Sequence, residues 1–156
     1  MGRFIRWSLF IIISGFIPLL FSCTPGSCFE ETESYLKASF YSGDEIKILT
    51  APDSITIYGL NDTNKVYNKA TRIEHALLPL NASTPECTFI IKINGIADTV
   101  KFTYTSYPHL ISKECGYTFY HKLDTVRDYS KHIIKDIYSG NQTITNLNVE
   151  NIRIFF

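Results

Sequence analysis

The sequence lacks the patterns that commonly identify an enzyme or a cofactor-binding protein. It contains no Cys-x-x-Cys pair, no Gly-x-Ser-x-Gly motif, no glycine-rich phosphate loop and no dinucleotide fingerprint. Its four histidines do not recur at ligand spacing on one predicted strand face, so a zinc site has little support. We therefore expect no catalytic residue, no metal and no cofactor, and we interpret the chain as non-enzymatic.

The chain also lacks an excess of charge of either sign. Its 15 basic and 15 acidic residues balance, and residues 1–22 hold two of the basic residues and none of the acidic ones. This balance gives no support to binding of nucleic acid. Methionine and tryptophan occur once each, whereas there are 10 tyrosines and 11 phenylalanines. Such aromatic enrichment favours β-strands.

A hydrophobic run long enough for a membrane-spanning helix is absent as well. The apolar run at residues 7–21 is shorter than the roughly 20 residues that a spanning helix needs, and it follows Arg3 and Arg6, as in a secretory signal. It ends at Leu20-Phe21-Ser22-Cys23, which resembles the bacterial lipobox. The thiol accepts the lipid, and cleavage before it requires a small residue at position 22. The alternative is an uncleaved membrane helix.

The lipobox predicts a domain organisation and a location. Residues 1–22 would be a lipoprotein signal peptide, residues 23–33 the lipidated Cys23 and a tether, and residues 34–156 a single domain. No Asp follows Cys23, and no acidic run follows directly. We therefore expect attachment through the N-terminal lipid to the outer membrane, on its periplasmic face.

Apolar and polar residues alternate with a period of two along most of the predicted domain, which indicates β-strands. In the clearest example, residues 87–93, Phe89 and Ile91 share one face. Asn94-Gly95 then predicts a tight hairpin turn into a strand at residues 99–104. Further strands are predicted at 46–49 and 55–60, whereas residues 65–80 are less regular and residues 130–138 are ambiguous.

About eight short strands separated by turn residues predict an all-β fold, most simply an antiparallel β-sandwich. A small closed lipocalin-like barrel is the alternative, with inward positions such as Phe89, Ile91 and Phe119 lining a ligand cavity. His121 is in phase with Phe119 and Leu123, a pattern typical of a hydrogen-bonded core histidine.

Lipidation of Cys23 would leave Cys28, Cys87 and Cys115 in an oxidising compartment. One disulfide and one free thiol are then expected. Closing any of the three pairs would stabilise the fold by about 3.5–5 kcal/mol, and the differences lie within the error of the chain-entropy model. Cys87 is in phase with core residues and could be a buried free thiol, which favours the 28–115 pair and leaves the others open.

Several short motifs stand out by their order and spacing: the lipobox with Cys28 shortly after it, Leu78-Pro79-Leu80-Asn81, Ser112-Lys113-Glu114-Cys115-Gly116 and Asn151-Ile152-Arg153-Ile154-Phe155-Phe156. Together they resemble an uncharacterised family of small lipoproteins from Bacteroidota, known only as a domain of unknown function. The resemblance implies a lipid-anchored β-rich domain with a disulfide between Cys28 and Cys115. It implies no activity.

Three tripeptides resemble the protein O-glycosylation pattern of that phylum, which is Asp, then Ser or Thr, then a small or aliphatic residue. They place candidate acceptors at Ser54, Thr99 and Thr125. Ser54 is favoured because it lies in a predicted turn, whereas the other two lie in predicted strands.

The abundant tyrosines suggest a function for the sheet surface. Exposed on one face, they could bind a protein or glycan partner; otherwise most would line the core. We therefore predict a lipid-anchored cell-envelope protein that acts as a non-catalytic binding or structural module. The alternative is a β-barrel that carries a small apolar ligand. The first predicts a solid core and an exposed aromatic patch, and the second predicts an interior cavity.

Overall fold

The structure is a computed structural model that describes residues 28–43, 47–62 and 64–156. The predicted signal peptide and the predicted lipidation site Cys23 lie outside these residues, as does the first position of the predicted strand 46–49. In the described part of the chain, no helix has the length and apolarity needed to cross a membrane.

The described residues form ten β-strands in two sheets, which confirms the all-β sandwich class. Sheet A has the order β4-β1-β10-β8, and sheet B has the order β3-β2-β5-β6-β7-β9. The strands are β1 (Tyr35–Tyr41), β2 (Ile55–Gly59), β3 (Lys65–Ala70), β4 (His75–Pro79), β5 (Glu86–Ile93), β6 (Ile96–Ser112), β7 (Gly116–Leu123), β8 (Asp136–Ser139), β9 (Thr143–Ile144) and β10 (Ile152–Phe155).

The strand number and one pairing differ from the prediction. The described residues contain ten strands instead of about eight. The pattern missed β9, which has only two residues, and β3, which is largely exposed and does not alternate. The first and last strands, β1 and β10, pair in parallel in the middle of sheet A, whereas their other neighbours are antiparallel. Among residues 47–49, the predicted strand reduces to one bridge between Leu49 and Tyr41.

The two sheets enclose one hydrophobic core, to which both contribute alternate residues. In β1 and β10 the inward residues include Phe40, Ile152 and Ile154, all fully buried. They belong to the same cluster as the inward residues of sheet B, including Ile91 and Phe102. A core of this kind is the main favourable term in the stability of a domain of this size.

The Asn151 side chain links strands of the two sheets. Its Oδ1 accepts a hydrogen bond of 2.9 Å from the backbone N–H of Lys37, and its Nδ2 donates to the carbonyl oxygens of Asn141 and Thr143 at 3.0 and 3.2 Å. The side chain is buried, so these bonds replace those that water would make. The residue that opens the C-terminal motif is thus a structural link between β1, β9 and β10.

The predicted Asn94-Gly95 hairpin is confirmed, and its second strand is longer than expected. Asn94 and Gly95 have φ values of 49° and 91°, the left-handed values that a two-residue hairpin turn needs. β6 begins directly afterwards and has 17 residues. Its first part contributes Val100 and Phe102 to the core, whereas residues 105–120, which we call the arm, contain no buried residue.

Candidate binding surface

The outward face of sheet A carries aromatic and charged side chains from three adjacent strands. Tyr41 lies on β1, Arg153 on β10 and Tyr138 on β8, where Tyr138 is paired with Arg153. The Arg153 Cζ lies 5.5 Å from the centre of the Tyr41 ring and 5.9 Å from that of Tyr138. Tyr138 is 56% exposed. We call these three residues, with Glu150, the Arg153 cluster.

Glu150 holds the arginine in place. The Arg153 Nε donates to Glu150 Oε1 at 2.6 Å, and the Tyr41 hydroxyl donates to Oε2 at 3.0 Å. Burial raises the pKa of Glu150, but hydrogen bonds from Arg153, Ser39 and Tyr41 outweigh burial and leave this pKa below its ordinary value. Glu150 is therefore ionised at neutral pH, and its bond to the Arg153 Nε fixes the orientation of the guanidinium.

Phe155 packs against the Arg153 cluster and is covered by neighbouring side chains. Its ring centre lies 5.6 Å from that of Tyr41, and the Lys47 Nζ lies 4.4 Å above the ring. Phe155 is only 6% exposed although it points away from the core. Tyr138 and Arg153 consequently project from a well-supported surface and not from a mobile loop.

A groove of about 210 Å³ opens on the same face, toward the start of β1. Outward residues of a strand follow each other at every second position, about 6.6 Å apart. Tyr35 and Lys37 in the groove therefore continue along β1 to Tyr41 in the Arg153 cluster, and the two features form one strip. The groove is lined by Glu31, Glu33, Tyr35, Lys37, Leu77, Thr145, Asn146, Leu147 and Asn148.

Cys28 and Cys115 form a disulfide, the pair that the family resemblance implies, with Cα atoms 4.8 Å apart. The Ser112 Oγ accepts hydrogen bonds from the backbone N–H groups of Glu114 and Cys115, at 3.2 and 3.0 Å. Gly116 follows with φ +74°. The motif at 112–116 is thus the tip of the β6–β7 hairpin, and its turn presents Cys115 to Cys28.

The segment after Cys28 is fixed to the arm. The Thr118 hydroxyl donates to the carbonyl oxygen of Thr32 at 2.6 Å, and the Asn146 Nδ2 donates to that of Glu31 at 2.9 Å. Asn146 is positioned in turn by a 2.6 Å bond from the Tyr120 hydroxyl. The part of the predicted tether at residues 28–33 is therefore attached to the body of the domain.

Asp98 organises the segment at residues 130–134. Its carboxylate, almost fully buried, accepts bonds of 2.8 Å from the backbone N–H groups of His132, Ile133 and Ile134 and one of 2.5 Å from the Ser130 hydroxyl. Burial raises the pKa of Asp98, but these bonds outweigh it and hold the pKa well below its usual range. This role was not visible in the sequence, because the partners lie more than 30 residues away.

His121 is buried, as the prediction of a core histidine requires. It is 2% exposed, its Nδ1 lies 2.9 Å from the Ser106 Oγ, and its ring meets that of Tyr104 edge-on at 5.4 Å. Burial lowers the pKa of His121. The ring is therefore neutral at pH 7, with its Nδ1 hydrogen-bonded inside the sandwich.

Cys87 is the free cysteine of the described residues, and it is half-buried against the core. Burial is the main reason that its pKa is raised to about 11. The thiol borders an open cleft of about 420 Å³ that also includes Asn61 and Asn81. A thiol with this pKa is protonated at neutral pH and is a poor nucleophile.

The candidate O-glycosylation residues lie in different settings. Thr125 is exposed and lies in the loop after β7, so its predicted position in a strand was wrong. Thr99 is exposed within β6, and its backbone N–H is bonded to the Ser130 Oγ. Ser54 is half-exposed directly before β2. An enzyme that needs a free loop would reach Thr125 more readily than the strand residue Thr99.

The positions expected to line a barrel cavity are not brought together. Phe89 and Ile91 are buried in the core cluster, whereas Phe119 lies on the arm and is 49% exposed. The alternation shows which residues share a face of a strand. It does not show which positions on that face are buried.

Within the described ranges, no group of three His, Cys, Asp or Glu side chains is placed to hold a metal ion. The fold and its surface define a disulfide-linked all-β sandwich with an exposed aromatic and arginine face. A family model described as a family of unknown function, DUF6452, matches residues 54–156, and the chain belongs to that family. Neither the curated proteins nor the solved structures contain a significant match.

Proposed function

We propose that this protein is a lipid-anchored component of the bacterial cell envelope, a Bacteroidota lipoprotein held by Cys23 on the periplasmic face of the outer membrane. The observation that carries the proposal is the Cys28–Cys115 disulfide, which lies five residues after the lipobox cysteine. Disulfides persist in exported proteins and are rare in the cytosol. The disulfide and the lipobox thus point to the same compartment independently.

Metabolic labelling with an alkyne fatty acid, in native cells, tests the anchor. The wild-type protein should carry the label and fractionate with membranes, whereas Cys23→Ala should lose the label. Cys87→Ala is the matched control, since it removes a thiol that the lipobox does not include, and it should keep the label. Label that persists in Cys23→Ala, or is absent from the wild type, contradicts the proposal.

The Arg153 cluster supports a non-catalytic binding role with a protein partner. Tyrosine and arginine are enriched among residues that dominate the binding energy of protein interfaces. Here the guanidinium lies between two tyrosine rings and is oriented by Glu150, so little side-chain freedom remains to be lost on binding. The buried Asp98 and His121, by contrast, are enclosed in the fold, where a substrate has no access.

A photo-crosslinking amino acid in place of Tyr138, in native cells, tests this role. We expect one discrete protein adduct, and Arg153→Ala should abolish it. The same substitution should change the free energy of unfolding by less than about 1 kcal/mol. Lys92, exposed on the outward face of sheet B, is the control position. Equal adduct patterns from positions 138 and 92 would exclude the Arg153 cluster as a specific binding surface. A glycosidase-sensitive adduct would replace the protein partner with a glycan.

A further inference from the structure

The arm carries an apolar surface that the sandwich does not cover. Pro108 pairs with Phe119 and Leu110 pairs with Tyr117, and residues directly opposite each other in an antiparallel ladder share a face. Leu110, Tyr117 and Phe119 are 47%, 74% and 49% exposed. These four residues, the apolar face of the arm, continue the inward face of β6 and β7 beyond the core.

The opposite face of the arm has a different character. Tyr107 and His109 both pack on the ring of Tyr120, with ring centres 6.2 and 4.1 Å from it. The Tyr120 hydroxyl is bonded to Asn146, and the neighbouring Thr118 is bonded to Thr32. The side chains of this face therefore stack on one another and contact the N-terminal segment. The apolar face of the arm, by contrast, is exposed.

The position of the N-terminal segment relates the apolar face of the arm to the proposed lipid anchor. The described chain begins at Cys28, which is joined to Cys115 at the tip of the arm. Cys28 lies five positions after Cys23, and five residue steps span at most about 18 Å. If Cys23 carries the lipid, as proposed above, the tip of the arm is the part of the domain closest to the bilayer.

The composition of the apolar face fits a bilayer interface. Aromatic side chains are enriched at the level of the lipid head groups, where an apolar ring and a polar hydroxyl can both be satisfied. The tip itself carries Lys113 and Glu114, which balance in charge, so attraction to anionic lipid contributes little. Contact with the bilayer would therefore depend on burial of the apolar face.

We infer that the apolar face of the arm lies in the head-group region of the membrane that holds the lipid anchor, and that the Cys28–Cys115 disulfide keeps it there. The inference rests on the proposed lipidation of Cys23. The anchor supplies the attachment, and the arm sets the orientation of the domain relative to the bilayer. The lipid alone would leave that orientation free.

The mature chain offers a clean test because it contains no tryptophan: Trp7, the one tryptophan of the sequence, lies within the predicted signal peptide. Tyr117→Trp then introduces a sole tryptophan on the apolar face. Tyr138→Trp places one on the outward face of sheet A, and Tyr107→Trp places one on the opposite face of the arm. The lipidated full-length mature proteins are reconstituted in phosphatidylethanolamine–phosphatidylglycerol vesicles with brominated acyl chains, which quench tryptophan at short range.

We expect the Tyr117→Trp emission to be blue-shifted and quenched about twofold, as for a ring about 5–10 Å inside the interface, and the two controls to be quenched much less. Leu110→Trp, on the same face, should reproduce the result. Combining Cys28→Ser and Cys115→Ser with the Tyr117→Trp probe should reduce the quenching. Equal quenching of the Tyr117→Trp and Tyr138→Trp probes overturns the inference.

Three further outcomes are distinguishable. A blue shift of the Tyr117→Trp probe that depends on protein concentration, without quenching, would show that a second copy covers the face, and would also overturn the inference. If no variant floats with the vesicles, the lipid anchor itself has failed. If all float and none is quenched, the anchor stands and the membrane contact of the arm is wrong.

Discussion

The two halves of the β6–β7 hairpin use the same ladder of hydrogen bonds in opposite environments. In residues 96–104, every second side chain from Asp98 to Tyr104 is buried. In the arm the alternation continues through Leu110 and Phe119, but no side chain is buried. The comparison shows that a strand pattern determines the side of the sheet on which a residue lies. Tertiary packing determines whether that side is covered.

The arm also differs in how it is held. The core half is stabilised by apolar burial from two sheets. The arm relies on its pairing, on the bonds from Thr118 and Asn146 to the N-terminal segment, and on the Cys28–Cys115 disulfide. Segments with few buried apolar contacts open at lower free energy than the core, so the two halves should respond differently to the same substitution.

The largest difference is expected for a matched pair of phenylalanines. Phe102→Ala in the core half removes a fully buried ring and should lower the free energy of unfolding by about 3–5 kcal/mol. Phe119→Ala, on the adjacent strand in the arm, should cost less than about 1 kcal/mol, because half of its ring is already in water. Urea unfolding of both variants measures this; similar losses would mean that the arm is part of the core.

Removal of the disulfide should affect the arm first. The double variant with Cys28→Ser and Cys115→Ser should lose about 2–4 kcal/mol, and amide exchange should accelerate in residues 107–120 more than in residues 98–104. Hydrogen exchange with mass spectrometry resolves the two ranges. Cys87→Ala is the control, and it should leave exchange in the arm unchanged. Uniform acceleration over both ranges would remove the distinction between the halves.

Acid should act on the core half through Asp98. The pKa of Asp98 in the folded protein lies below its unfolded value of about 3.9, so its stabilisation is complete above about pH 4 and is lost as the pH falls further. Asp98→Asn should cost about 2–3 kcal/mol at pH 7 and weaken this acid dependence. Unfolding titrations at pH 3 and pH 7 test it. The exposed Asp53→Asn should retain the wild-type dependence.

The smallest expected effect concerns the turn at the tip. Gly116→Ala meets no neighbouring atom within 4 Å, but its φ of +74° is unfavourable for a residue with a Cβ. We expect a loss of about 1 kcal/mol. Gly140→Ala, which would make only an ordinary contact at 3.7 Å, should be close to neutral. Thermal unfolding compares the two, and an equal response would argue against a strained turn at Gly116.

Local signals predicted the local features correctly. The Asn94-Gly95 turn and the burial of His121 both follow from short-range pattern and turn chemistry. The position at which the core ends along the β6–β7 hairpin does not follow from such a pattern. Phe119 and Leu123 of β7 have the same phase of alternation, but only Leu123 is buried.

Non-local pairing accounts for what the sequence could not show. The parallel contact of β1 with β10 brings together residues more than 100 positions apart, and alternation carries no information about it. That pairing places Tyr41 beside Arg153 and Glu150. Candidate tyrosines were visible in the sequence, but the arginine and the carboxylate that organise them were not.

The most direct test of the central claim is the intact mass of the protein from native membranes, with its thiols alkylated in denaturant before and after reduction. We predict residues 23–156 with two or three acyl chains, one alkylated thiol before reduction, from Cys87, and two more alkyl groups afterwards, from Cys28 and Cys115. A chain that retains residues 1–22, or one whose thiols all react without reductant, would contradict an anchored domain whose arm is fastened beside its lipid.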